Sequence, residues 1–152
     1  MRLLIQCVDK ASVTIENKLY SSIDKGYLVF VSFTYGDNEE IMNKMITKML
    51  NMRIFPDENG KTNLSLKDVD GKILSVSQFT LYADLKHGNR PSFINCLSPK
   101  DANELYNKFN DFLKNQNYIV KTGVFGADMK VELINNGPFT IILDSKEILK
   151  WK

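Results

Sequence analysis

Apolar residues recur along this chain at two spacings, and the strand-like spacing dominates. Arg2–Val8 (RLLIQCV) is a β-rich apolar run, and Ala11–Glu16 (ASVTIE) alternates apolar with polar positions as a half-buried strand does. Asn17-Lys18 reads as a turn into a short strand ending near Ile23. Tyr27–Thr34 (YLVFVSFT) is apolar almost throughout, the pattern of a central strand covered on both faces. Lys72–Tyr82 (KILSVSQFTLY) predicts a long strand, and Tyr118–Thr122, Lys130–Asn135 and Phe139–Asp144 predict three more. Between them, Pro56–Gly60 is a turn cluster and Asn63–Val69 supports at most a weak strand.

Two stretches follow the helical period instead. After Asp37-Asn38, Ile41, Met45 and Met49 form one row, and Met42, Ile46 and Leu50 form its neighbour, a wide stripe suited to facing a core. Ser98 is a natural N-cap for the second helix, Pro99 suits its first position, and Asp101 places charge at its positive end. Ala102, Leu105, Tyr106, Phe109, Phe112 and Leu113 then share one face. Strands outnumber helices. The pattern predicts an α+β domain over residues 1–144, a β-barrel-like curved sheet with two main helices packed outside, followed by a short tail, 145–152.

Composition supports a folded domain: 43% of residues are hydrophobic and 25% charged, near the globular averages, and a chain of this size buries about 70% of its surface. No apolar run approaches the ~18–20 residues of a membrane span, and the opening MRLLIQCVDK lacks the long apolar region of a signal peptide. Cys7 and Cys96 form no disulfide framework and no CxxC pair, which points to a reducing, cytoplasmic setting. The net charge of +2 is too mild to announce a nucleic-acid coat. Local charge changes that picture. Leu85–Lys100 carries Lys86, Arg90 and Lys100 with no acidic residue, and the tail carries Lys146, Lys150 and Lys152 against Glu147 alone. Such residues suit a solvated surface or contacts with a few phosphates.

The familiar catalytic kits are missing. The one histidine, His87, lies in a polar loop sequence with no nucleophile elbow near it. One histidine and two distant cysteines fall short of a zinc set, and no GxGxxG, P-loop or EF-hand pattern occurs, so neither metal nor cofactor is expected. Two segments break local rules instead. In the predicted strand through Tyr82, Ser77 and Phe79 would face one way and Gln78 and Thr80 the other, so polar groups inside an apolar strand need partners or a cleft. Thr80 could serve as a nucleophile, but no base is evident to activate it. In Asn135-Asn136-Gly137-Pro138-Phe139-Thr140, proline supplies no N–H and glycine permits close approach, so the turn can present a rigid edge of carbonyl acceptors.

These two segments carry a resemblance. Ser77-Gln78-Phe79-Thr80-Leu81 matches SQFTL, and Asn135 through Thr140 matches NxGPxT, the two signatures of the D-aminoacyl-tRNA deacylases. Gly88–Phe93, Phe125–Met129 and the opening around Gln6 and Ala11-Ser12-Val13 are similar to the family as well, so the likeness runs from Met1 to about Asp144. It implies hydrolysis of the ester joining a D-amino acid, or misplaced glycine, to the 3′-terminal adenosine of tRNA. It also implies a homodimer with active sites at the subunit interface, where a cis Gly137-Pro138 of one subunit enters the pocket holding its partner's Ser77–Leu81 segment.

On that resemblance, paired carbonyl oxygens accept from the substrate's α-ammonium and fill the space an L side chain would need. The terminal 2′-OH of the RNA assists attack, and the N–H groups of Phe79 and Thr80 lie near the ester carbonyl, with Ser77 and Gln78 supporting the geometry. Phe125 and Met129 match pocket-lining positions beside Gly137-Pro138, with Asn135 and Thr140 completing that motif. Lys86, Arg90, Lys100 and the tail lysines are candidate phosphate contacts. One departure stands out: family members usually carry arginine after the glutamine of the first strand, where this chain has Cys7, whose expected role is that of a buried, inert thiol. The alternatives are the sister family that removes L-alanine, which uses a trans Gly-Pro and a variant SQFTL, and a noncatalytic RNA-binding barrel. Intact Ser77 and Phe79 favour the D-specific form.

Overall fold

The computed structural model describes residues 1–149. Its framework is one strand, β1 (Arg2–Ile15), which pairs on both edges. On one side its first half pairs with β3 (Gly26–Ser32) and its second half with β2 (Lys18–Ile23); on the other, β8 (Lys130–Asp144) runs antiparallel along nearly its whole length. Parallel pairs extend the sheet from β3 to β6 (Lys72–Ser77) and β7 (Val120–Thr122). The sheet curls back on itself: Ser21 Oγ of β2 donates to Thr122 O of β7 at 2.7 Å. The small hairpin β4 (Phe55–Pro56) and β5 (Thr62–Leu64) stands apart.

This curling explains the continuous apolar run of β3, because both of its faces are covered. Tyr27, Val29 and Val31 join Leu3, Ile5 and Ile73 in a core closed by α1 (Glu39–Asn51) and α2 (Pro99–Asn115) through Met45, Met49, Tyr106 and Phe109. Leu28 faces the barrel interior with Val8, Val13, Leu74 and Val76. The helices begin where their caps place them: Asn38 accepts from Ile41 N at 3.0 Å, and Ser98 from Asp101 N at 3.3 Å. The expected barrel-like sheet with two main helices outside is therefore the observed architecture.

Several element boundaries differ from expectation. The two predicted strands Arg2–Val8 and Ala11–Glu16 are one, β1, and the turn after it sits at Glu16-Asn17, both at positive φ, one residue earlier than predicted. The predicted strand through Tyr82 stops at Ser77. By then β3 is about to end and β7 has already ended opposite Ser75, so the ladder has no further partner. Gln78 N still reaches Val31 O at 2.8 Å, after which the chain winds into a 3-10 turn over Phe79–Tyr82 and satisfies itself locally. The two strands expected around the Gly-Pro segment are also one, β8. Between Gln6 and Val8 of β1, β8 advances from Thr140 to Asn135, so residues 136–139 loop out of the ladder.

The chain's end is tied to its beginning. A short helix, α3 (Ser145–Ile148), follows β8, and the buried Ser145 Oγ accepts from the Met1 ammonium, which also pairs with Asp37 at 2.6 Å. Arg2 Nε donates to Asp144 Oδ2 at 2.8 Å, and Arg2 Nη1 to Leu81 O at 2.7 Å. Burial works against the Asp144 carboxylate, but the Arg2 and Lys146 N–H donors outweigh it and hold its pKa below the usual carboxylate value. A depressed folded pKa contributes stability above the ordinary carboxylate value, near pH 4, that is lost as pH falls through the lower folded one. We expect Asp144→Asn to be less stable than the parent at pH 7 and to lose less of its stability on acidification from pH 5 to 2. Urea titrations at the three pH values check this, and parallel losses would exclude Asp144 as a source of acid sensitivity.

Candidate active site

The 3-10 turn after β6 leaves its first N–H groups free. Gln78 occupies the N-cap position without a side-chain bond to the turn's backbone, and among the described residues no acceptor meets the N–H of Phe79 or Thr80. The carbonyls of the same turn are occupied: Gln78 O accepts from Leu81 N at 3.3 Å and Thr80 O from Ala83 N at 3.0 Å. Phe79 O accepts from Ser32 Oγ at 3.4 Å and from the Cys96 thiol at 3.3 Å. The segment thus shows unsatisfied donors outward and satisfied acceptors inward.

A cavity of about 450 Å³ opens beside this turn, within the size range of small-molecule sites. Ser77, Gln78 and Phe79 form one wall, Ser32 and Tyr35 another, and Phe93, Cys96 and Phe125 close it. Its character is aromatic. Phe79, 56% exposed, meets Phe93 edge-on at 5.0 Å, and Phe125 lies 6.1 Å from the Tyr106 ring. Tyr106 OH and Gly123 N both donate to Ser75 O, which anchors the loop carrying Phe125 to the end of β6. No Asp, Glu, His, Lys or Arg among the described residues lines this cavity. Burial pushes the Cys96 thiol pKa up, so the one sulfur in the wall is neutral at neutral pH.

The predicted site residues divide between two places. Ser77, Gln78, Phe79 and Phe125 come together at the cavity; Thr80, next in the turn, is exposed and not among its lining residues, and its hydroxyl accepts from Gln78 Nε2. The alternate facing expected for residues 77–80 does not hold, because the 3-10 turn replaces the strand there. Gly137 and Pro138, joined by a cis peptide bond, are exposed on the looped tip of β8 and do not line the cavity of their own chain. Asn135 Nδ2 braces that tip by donating to Cys7 O and Phe139 O, each at 3.0 Å. Gln6 Nε2 reaches Thr140 Oγ1 at 3.2 Å and Asn136 Nδ2 reaches Asp9 Oδ1 at 2.8 Å. Gly137 sits at φ 128°, and a Cβ there would fall 2.9 Å from Phe139 N. Met129 packs against the barrel-interior core beneath Gly123.

The basic candidates lie outside the cavity. Asp84 and Ser92 exchange backbone bonds at 2.8 Å, closing a loop on which Lys86, His87 and Arg90 are exposed. Lys86 borders a second cleft with Arg2, Tyr82, Asn95 and Lys146, whereas exposed Lys100 lies in the first turn of α2. Lys150 and Lys152 lie outside the described residues. No three His, Cys, Asp or Glu side chains among the described residues gather as a metal site, and no described helix is long and apolar enough to cross a membrane. Sequence reasoning missed Ser32, Tyr35 and Cys96. A serine inside the apolar run of β3 was the one available signal.

Comparison with known proteins shows the family and the fold. A family model described as D-Tyr-tRNA(Tyr) deacylase matches residues 4–144. A D-aminoacyl-tRNA deacylase of Lactobacillus gasseri is 55% identical over 144 residues, 95% of this chain and 99% of that protein. One from Lactobacillus acidophilus is 54% identical with the same coverage. Among solved structures, the c-Myc DNA unwinding element binding protein is similar at a TM-score of 0.89 and 37% identity, over 95% of this chain and 98% of its own. A probable eukaryotic D-amino acid tRNA deacylase shares the fold at a TM-score of 0.82 and 19% identity, over 93% and 97%.

The two thiols should behave as inert groups. Burial pushes Cys7 up to about 11 and raises Cys96 as well. In the native protein at pH 7 we expect iodoacetamide to label Cys96 more slowly than free cysteine and Cys7 only after unfolding, as read by mass spectrometry. Rapid labelling of Cys96 at pH 7 would reveal a thiolate and return it to the list of nucleophiles.

Proposed function

The chain belongs to the D-Tyr-tRNA(Tyr) deacylase family and is a hydrolase of D-aminoacyl-tRNA, and from that premise we propose how its site works. The terminal adenosine stacks in the aromatic cavity among Phe79, Phe93 and Phe125, since base stacking needs only π-faces and no particular polar partner. The ester then lies at the rim, where the N–H groups of Phe79 and Thr80 stabilise the oxyanion as the carbonyl carbon becomes tetrahedral. Ser77 and Gln78 shape that rim.

One observation carries this reading: free backbone donors adjoin a cavity whose described walls hold no charged acid or base. With no acid or base in those walls, the attacking water is activated by the substrate itself. The vicinal 2′-OH of the terminal ribose relays its proton while the water oxygen joins the carbonyl carbon, and the ester bond to the 3′ oxygen breaks with that oxygen leaving protonated. Among the described residues the Thr80 hydroxyl has its hydrogen bond from Gln78 Nε2, and an amide cannot take its proton.

The tip of β8 supplies selection from a second copy of the chain. Its carbonyls accept from the α-ammonium and occupy the space of an L side chain, leaving D-amino acids and glycine to pass. Rejection by backbone is indifferent to side-chain identity, so varied D-residues are substrates. Two features support a homodimer with composite sites. The tip is exposed and braced yet absent from its own chain's cavity, and Leu4, paired with Phe30 and Ile142 across β3, β1 and β8, belongs to an apolar row in which Ile142 is 66% exposed. Lys86, Arg90 and Lys100 meet tRNA phosphates around the 3′ end. The protein acts where aminoacyl-tRNA is, in the cytoplasm.

The test is ester loss from D-tyrosyl-, L-tyrosyl- and L-alanyl-tRNA. The D-tyrosyl ester should be cleaved and both L-esters spared; preference for L-alanyl would place the activity with the sister family. Replacing the terminal ribose by its 2′-deoxy form should lower turnover by roughly 10²-fold or more, the usual worth of a positioned proton-transfer group. Thr80→Ala should stay within about tenfold of the parent. Undiminished turnover of the deoxy substrate would remove the RNA-assisted mechanism, and complete loss in folded Thr80→Ala would restore the threonine as nucleophile.

A further inference from the structure

Two side chains from separate segments converge on one atom of the 3-10 turn. Ser32, buried at the end of β3, directs Oγ to Phe79 O at 3.4 Å, and Cys96 directs its thiol to the same oxygen at 3.3 Å. Cys96 is itself held in place. The chain around it is zipped to the end of β3 by the Thr34–Cys96 bridge, by Leu97 N donating to Phe33 O at 3.1 Å, and by the Thr34 hydroxyl donating to Asn95 O. Phe93, in the same strap, packs edge-on against Phe79.

The Phe79 carbonyl and the Thr80 N–H belong to one peptide unit, and in a planar trans peptide they point in opposite directions. Whatever grips the carbonyl from the inner side therefore aims the Thr80 N–H outward, to the exposed rim. Hydrogen bonds accepted by a peptide oxygen also polarise the N–H of that unit and strengthen it as a donor. We propose that Ser32 and Cys96 are positioning residues for the oxyanion-binding peptide, fixing the Thr80 N–H in direction and in strength. This rests on the reading of that N–H given above. Neither side chain needs to touch the reacting atoms or lose a proton, in keeping with the neutral state of the thiol.

A positioning role of this kind acts on the transition state more than on substrate binding, so it separates kcat from KM. The experiment is steady-state D-tyrosyl-tRNA deacylation by the full chain and by Ser32→Ala, Cys96→Ala, the double variant and Cys96→Ser. Thermal unfolding is followed in parallel. We expect about threefold lower kcat in each alanine single variant, about tenfold in the double, KM within twofold of the parent throughout, and recovery of most of kcat in Cys96→Ser, which keeps a donor. An unchanged kcat in the folded double variant overturns the proposal, as does a loss confined to KM. If the alanine variants unfold, Cys96→Ser against Cys96→Val, similar in bulk to cysteine but unable to donate, decides: equal kcat for the two contradicts the role. A parent chain that releases no D-tyrosine would instead refute the underlying site reading.

Discussion

A backbone amide left without a partner is costly when buried and useful at a surface. The ladder between β3 and β6 runs out at Val31 and Ser77, and the chain beyond it has to satisfy its polar groups without a sheet. Gln78 takes the last available carbonyl, the next residues close a 3-10 turn, and the donors of Phe79 and Thr80 are left over. The cavity forms against this turn because β3 ends, α2 begins and the Phe125 loop passes beside it. Electrostatics then follow from topology. Backbone dipoles provide the polarity, aromatic rings provide the walls, and charged side chains stay on the surrounding loops.

The opposite edge of the sheet has a complementary construction. There β1 and β8 remain paired on both sides of a four-residue excursion, so the tip is carried on a long, well-hydrogen-bonded base and braced by Asn135, Asn136, Gln6 and Asp9. Position 7 contributes its main-chain oxygen to this bracing, while its side chain is buried in the core. One surface of the chain thus offers donors and another a rigid projection free of its own cavity. A selector built on this plan reads the handedness at the α-carbon and ignores what lies beyond it.

Much of this was legible from residue pattern, and the reasons for the rest are specific. Asn38, Ser98 and Pro99 mark helix starts because capping is a local interaction. The doubly covered β3 was visible in its unbroken apolar run. Where β6 stops was not, since Gln78–Tyr82 has strand-like composition and only the end of its neighbours' ladders, a tertiary fact, turns it into a 3-10 turn. Nor could the unity of β8 be read through Gly137-Pro138, which has the composition of a turn yet interrupts the ladder only briefly. Gly123 makes room for Met129, which packs against the barrel-interior cluster, and Phe125 lines the cavity. Ser32 and Cys96 carried no functional pattern, because their partner is a backbone oxygen far away in sequence.

The central claim is that main-chain atoms perform both recognition and stabilisation. The most direct measurement is a crystal structure with an amide-linked, uncleavable analogue of D-tyrosyl-adenosine. The account predicts the acyl oxygen within about 2.7–3.1 Å of the Phe79 and Thr80 nitrogens, the base among the phenylalanines, and the α-ammonium against the Gly137 tip of a second copy. An acyl oxygen bound by a side chain, with that tip remote from the ligand, would contradict it.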